Sequence, residues 1–260
     1  MTVGLSSAEW AAVPGSDGAV LAAPADFGVV LAGPDGDEVR GGLDVLGRAD
    51  LDQCQPVRSF PSYKGQRNYP GWYWPATMGR RVGFESWVER GHLVALDFDP
   101  AVTAIVSQPF WLSWRSPAGR VRRHPPDFFA RLADGGGLVI DSRPAGVADD
   151  KDREAFAVTR GACELLGWGY MVCGEMDRVV AANHRWIAGY RHPRCGEPET
   201  EARLLKAFGS GLELMDGAEA AGDPLATLPV LFHLIWRGEL TADLSLVLSD
   251  RTVVRAAGLG

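Results

Sequence analysis

Two aspartates stand close together in RHPPDFFARLADGGGLVIDSRP: Asp127 directly follows Pro126, and Asp141 precedes Arg143 by two residues. A third acid, Glu85, lies upstream with Glu89 four residues beyond it. Carboxylate oxygens suit a hard cation such as Mg2+, which can neutralise a scissile phosphate and generate hydroxide at neutral pH. The chemistry these residue types would do together is metal-assisted phosphodiester cleavage, with Glu85, Asp127 and Asp141 as ligands. Arginine stays protonated and cannot act as a general base, so Arg143 is assigned to clamping phosphate and stabilising transition-state charge. The competing reading is structural: both aspartates merely end strands, and Asp141 pairs with Arg143.

These residues must be positioned by local structure. Asp127 to Leu132 and Leu138 to Arg143 read as strands joined by ADGGG, whose glycines supply the positive φ that a hairpin turn needs. A side-chain period of two puts Val139, Asp141 and Arg143 on one face. Phe84, Trp87, Val88 and Gly91 recur at helical spacing, predicting a helix from Val82 that carries Glu85 and ends near Gly91, with a turn at Asp97 to Pro100. Strands are predicted at Val102 to Gln108, Phe110 to Arg115 and Gly169 to Cys173, and a helix at Asp152 to Leu166. This order predicts an α/β class with a mixed sheet flanked by helices. Beyond Arg194, helices are predicted at Glu199 to Phe208, Leu228 to Trp236 and Thr241 to Leu248, with a strand at Thr252 to Arg255. That region reads as a small, mainly helical domain compatible with a winged helix. The expected domains are therefore 1–55, an acidic arm or accessory hairpin with a strand-like run at Phe27 to Leu31; 56–194, the domain holding the acids; and 195–260, an interaction domain.

The net charge of -7 argues against a nucleic-acid partner until its distribution is considered. Residues 1–53 carry nine acids and two bases, so the rest of the chain is balanced. Within it, Arg58 to Arg81 holds five bases and no acid, interleaved with prolines and aromatics in RSFPSYKGQRNYPGWYWPATMGRR. Such an excess is what phosphate binding needs. Lys64, Arg67, Arg122 and Arg123 are candidate DNA contacts, and Gln108 could orient a water or touch DNA. The four cysteines, Cys54, Cys163, Cys173 and Cys195, show neither a disulfide framework nor paired metal-ligand spacing. No apolar run approaches the ~20 residues of a membrane span, and no Lys or Arg precedes Arg40, so a cytoplasmic location is expected.

FESWVERGHLVALDFDP, IVSQPFWLSW, HPPDFF, VIDSRP and GWGY together resemble the TnsA endonuclease subunit of heteromeric bacterial transposases, in its actinobacterial-type branch, and LPVLFHLIWRGELTADL resembles that family's C-terminal portion. The likeness runs from about 55 to 255. It implies a restriction-endonuclease-like core of the PD-(D/E)xK superfamily and Mg2+-dependent cutting at the 5' ends of a mobile element, with Mn2+ able to replace Mg2+. It also implies double-stranded transposon ends as substrate, a DDE-type transposase as partner, and an ATPase regulator of transposition as a further one. The family's helix glutamate falls on Glu85, its strand aspartate on Asp127 and its second metal-side residue on Asp141, the resemblance implies the backbone carbonyl of Ser142 as an additional metal ligand, and the family's lysine falls on Arg143. That last departure leaves three explanations: water activation by metal alone, a substitute lysine at Lys151, or loss of activity. The rival functions are accordingly a catalytically weak or inactive DNA-binding and assembly subunit, and a stand-alone defence or repair nuclease.

Overall fold

The glycines of ADGGG turn the chain as expected. Gly135 takes φ +86°, and its N–H donates to the carbonyl of Leu132. The computed structural model describes residues 10–12 as backbone, together with 26–60, 64–66, 69–144 and 148–258; Arg67 lies outside the described residues. The chain divides into two units, 1–96 with 101–175, and 97–100 with 176–260. The first contains β1 (Trp10–Ala12), β2 (Gly28–Ala32), β3 (Glu38–Gly41), α1 (Asp44–Arg48), β4 (Gly71–Tyr73), β5 (Val82–Phe84), most of α2 (Trp87–Phe98), β6 (Val102–Ser107), β7 (Trp111–Arg115), β8 (Val121–His124), β9 (Phe128–Leu132), β10 (Gly137–Ser142), α3 (Asp150–Leu166) and nearly all of β11 (Gly169–Met176).

A five-stranded sheet runs β1-β11-β10-β9-β6. Strands β6, β9 and β10 are antiparallel neighbours, whereas β10 and β11 are parallel and joined through α3. Phe128, Phe129, Ala130, Val139 and Ile140 are buried on alternating sides, as central strands covered on both faces require. Helix α3 is fixed at both ends. Asp149 and Asp152 form a reciprocal capping box at its start, and Gly167 closes it in the left-handed conformation at φ +70°.

A second sheet, β3-β2-β7-β8, corrects the expectation for the N-terminal region. The hairpin is there, but it is not accessory. Phe27, Val29, Leu31 and Leu46 pack in one core with Phe110, Phe129, Val139 and Cys163. Removing that apolar area from water is worth ~25 cal/mol per Å2, which ties the segment into the unit despite its acidic surface.

The predicted helix from Val82 is also corrected. Val82–Phe84 is a strand paired with β4, and α2 begins only at Trp87 and runs through Gly91 to Phe98. The reason is a capping box: the Ser86 hydroxyl accepts from the Glu89 N–H at 3.1 Å, while the Glu89 carboxylate accepts the Glu85 N–H at 2.7 Å and the Ser86 hydroxyl at 2.9 Å. Glu85 therefore precedes the helix.

The second unit contains α4 (Arg178–Ile187), α5 (Pro198–Ala207), β12 (Leu212–Glu213), α6 (Leu214–Ala221), α7 (Pro224–Trp236), β13 (Leu240–Ala242) and β14 (Val253–Ala256). Its three strands pair as β12-β14-β13. The division falls at Glu175, upstream of the expected one near Arg194, so α4 groups with the C-terminal elements. Thr241 to Leu248 is not a helix. It is β13 followed by a loop, and buried Asn183 of α4 donates to the carbonyls of Leu244 at 2.8 Å and Leu246 at 2.7 Å. Helix α7 starts four residues before the expected Leu228, at Pro224, because Asp223 caps it by accepting from Leu225 N–H at 3.0 Å. No helix of the described residues is long and apolar enough to cross a membrane.

Candidate active site

The open end of the β9–β10 hairpin assembles the acids. Phe128 pairs with Ile140, so one step outward the chain brings Asp127 opposite Asp141. The Asp127 carboxylate accepts the backbone N–H of Ser142 at 2.7 Å, prolonging the ladder with a side chain. Asp141 is 2% exposed and both its oxygens are engaged: Oδ1 by His124 Nε2 at 2.9 Å, Oδ2 by the Tyr170 hydroxyl at 2.6 Å. A carboxylate can only accept in that pair, which places a proton on His124 Nε2.

Ser142 leaves the opposite side of β10. Its hydroxyl meets His92 Nδ1 of α2 at 2.7 Å, and His92 Nε2 lies 2.8 Å from the carbonyl of Gly174. Burial lowers the His92 pKa to about 4, with the Gly174 carbonyl opposing. The ring is thus neutral at pH 7; Nε2 donates to Gly174, and the Ser142 hydroxyl donates to Nδ1.

The helix side brings Glu89 as well as Glu85. Burial and the charges of Asp141 and Glu89 push the Asp127 carboxyl well above the usual carboxylate range, against the Ser142 N–H and the Arg58 guanidinium. Glu89 is also raised: burial and the Glu85 charge outweigh its hydrogen bonds from Glu85 N–H and Ser86 and the charge of Arg58. Arg58 reaches Glu85 at 2.5 Å. One guanidinium therefore stands among Glu85, Glu89 and Asp127. The Asp141 charge reaches further, adding to burial in raising Tyr170 above its ordinary value and in pushing Cys163 and Cys173 up to about 12.

Gln108 closes the site from β6. It is 2% exposed and takes φ +45°, the one non-glycine with positive φ among the described residues. Its N–H donates to the Asp127 carbonyl at 2.8 Å, and its carbonyl accepts from Val57 N–H at 2.9 Å, next to Arg58. Holding a side-chain-bearing residue there costs on the order of 1 kcal/mol, and such strain concentrates at functional sites. Among the described residues its Oε1 is buried without a hydrogen-bond partner.

The remaining predicted residues are placed otherwise. Arg143 pairs with Asp152 at the start of α3, and this bond raises its pKa. Asp152 is lowered because Arg143 and the Asp149 N–H outweigh its burial. The anticipated Asp141–Arg143 pair is thus replaced by Asp141–His124 and Arg143–Asp152. Lys151 is exposed at the α3 N-terminus. Arg122 pairs with Glu154 at 3.1 Å, Arg123 lies 4.4 Å over the Trp111 ring, and Lys64 is exposed. Gln108 is too buried to meet DNA as it stands.

Glu89, Arg58, His124 and Tyr170 were missed as members of the site. SxxE at Ser86–Glu89 was a legible signal for the first; the others lie in distant segments whose pairing no local pattern encodes. No three of His, Cys, Asp and Glu stand in a metal-holding group among the described residues. In chemistry the oxygens of Asp127, Glu89 and Glu85 would suit a hard divalent cation, which would relieve the repulsion that, with burial, raises Asp127 and Glu89. Compared with models of known protein families and with curated proteins, the chain matches none.

Proposed function

We propose that the first unit is a Mg2+-dependent DNA endonuclease of restriction-endonuclease-like type, acting as the TnsA-like subunit of a heteromeric transposase that cuts at the 5' ends of a mobile element. The observation that carries this reading is Asp127, set opposite Asp141 and raised well above the usual carboxylate range by burial and by the charges of Asp141 and Glu89. The succession α2, β6, β9, β10, α3, β11, with strained Gln108 at the Asp127 carbonyl, supports it further. In the second unit, the succession α5, β12, α6, α7, β13, β14 supports a winged-helix reading.

Asp127 with Glu89 and Glu85 would hold the ion, which when bound supplies charge neutralisation and a more acidic water. Asp141, engaged by His124 and Tyr170, contributes the charge that with burial raises Asp127. Arg58, partnered by Glu85, is the guanidinium placed to move onto a phosphate; Arg143 braces α3 through Asp152. A hydrolytic role for a lysine is not needed in this scheme.

The test is calorimetric titration of Mn2+ into wild type and Asp127→Ala, together with nicking of labelled element-end DNA in the presence of a partner DDE-type transposase. Wild type should bind Mn2+ and nick, and Asp127→Ala should do neither; equal nicking by both would sink the assignment. A second reading, a catalytically silent assembly subunit, is favoured by the engagement of both Asp141 oxygens and of Arg143 with protein partners. It predicts DNA binding with no measurable uptake of Mn2+.

A further inference from the structure

The exposed aromatic rings of the first unit gather beside these carboxylates. Tyr69 is 63%, Trp72 59% and Trp87 61% exposed, although large aromatic rings normally contribute to burial. The neighbouring Tyr73 is buried, so the segment does have an inner face and these rings are not on it. Trp72 lies opposite Gly83 in the β4–β5 ribbon, and Glu85 follows two residues later. Gly83 has a steric reason: a Cβ there would fall 2.4 Å from the Phe60 ring, which rests on it and meets Trp72 edge-on with centroids 5.5 Å apart. On the other side of Glu85, Trp87 opens α2; Tyr69 lies 6.2 Å from it, and the Arg90 guanidinium sits 5.5 Å over its ring.

The segment that carries Tyr69 and Trp72 bears charge of one sign, whereas Trp87 stands between Glu85 and Glu89 with Arg90 over its ring. Arg58 to Arg81 contains no acid, and Lys64 and Arg81 are exposed. Exposed rings interleaved with cations match a polyanion that also presents flat π-faces, which is single-stranded nucleic acid. Bases inside a duplex are stacked on one another and offer no face to a side chain. We infer that Tyr69, Trp72 and Trp87 form a stacking platform for unpaired bases flanking the scissile phosphate, so that this protein engages its DNA with the strands locally parted. The inference rests on the nuclease reading above and names the form of its substrate.

The experiment is fluorescence anisotropy of the full chain, in EDTA, with labelled forked DNA, labelled oligo-dT and a blunt duplex of the same sequence. Trp72→Ala and Trp87→Ala should each weaken binding to forked DNA and oligo-dT by about tenfold while changing duplex binding by less than about twofold. Trp87→Phe should recover most of the loss, and Trp186→Ala, in the second unit, should behave as wild type. Thermal melting of each variant confirms that it is folded. Variants that bind forked DNA as wild type does, or that lose forked and blunt DNA equally, overturn the platform; the first outcome would leave the rings as a protein-docking face. Either result leaves Mn2+-dependent nicking intact, whereas a wild type that binds no DNA removes both readings together.

Discussion

The carboxylates of the second unit and those at the site of the first are used in opposite ways. In the second, acids sit at helix starts: Asp177 accepts from Val179 and Val180 N–H, Glu197 from Glu199 and Thr200, and Asp223 from Leu225. Hydrogen bonds from the Thr200 side chain and backbone and from Glu199 lower the Glu197 pKa, so its charge is favoured by the fold. In the first unit burial and the charges of Asp141 and Glu89 raise Asp127, and burial and the charge of Glu85 raise Glu89. A carboxylate at a helix start stabilises the fold by ionising. Asp127 and Glu89 cost stability on ionising, and a bound cation would recover that cost.

The largest test of this contrast is Asp141→Ala. It strips both His124 and Tyr170 of their buried partner, and urea denaturation should show a loss of about 3 kcal/mol. A loss below about 1 kcal/mol would mean that Asp141 is not the anchor of the cluster.

His92 gives a comparable effect through pH. Its folded pKa of about 4 lies below the ordinary 6.5, so its contribution is present above pH 6.5 and is lost as pH falls toward 4. That is roughly 3 kcal/mol at full extent, and His92→Gln should flatten the corresponding limb of the stability profile.

Asp127→Asn should act in the other direction. The raised carboxyl costs nothing below its unfolded pKa, and stability is lost as pH rises through the folded value. Without divalent cation the variant should therefore gain stability relative to wild type as pH rises toward 8, read by urea denaturation. Mn2+ should raise the melting temperature of wild type alone, and more so at higher pH, since the ion displaces a proton. An identical Mn2+ response in the variant would remove Asp127 from the ion's ligands.

The smallest effect belongs to the second unit. Asp223→Ala removes one cap and should cost about 1 kcal/mol in thermal unfolding, independent of Mn2+. A dependence on Mn2+ there would break the contrast between the units.

Much of the fold was legible because it follows from local rules. The ADGGG hairpin, the strands at Val102 and Phe110, the α3 helix and the acids facing each other across β9 and β10 came from turn chemistry and side-chain period. Errors arose where a local pattern allowed two answers. Phe84, Trp87 and Val88 fit a helical repeat, yet the Ser86–Glu89 capping box and the pairing of β5 with β4 set the start at Trp87. Thr241 to Leu248 carries helix-compatible residues, but β14 and Asn183 hold it as strand and loop.

The sequence by itself determined which acids could act together, because a hairpin with a period of two leaves few choices for Asp127 and Asp141. Only the tertiary structure decided who answers their charge. His124 from β8 and Tyr170 from β11 take Asp141, Asp152 takes Arg143, and Arg58 comes to Glu85 from 27 residues upstream. Those partners are chosen by strand order and crossover, which bring distant segments together in a medium where a buried charge must find a counter-charge or a donor.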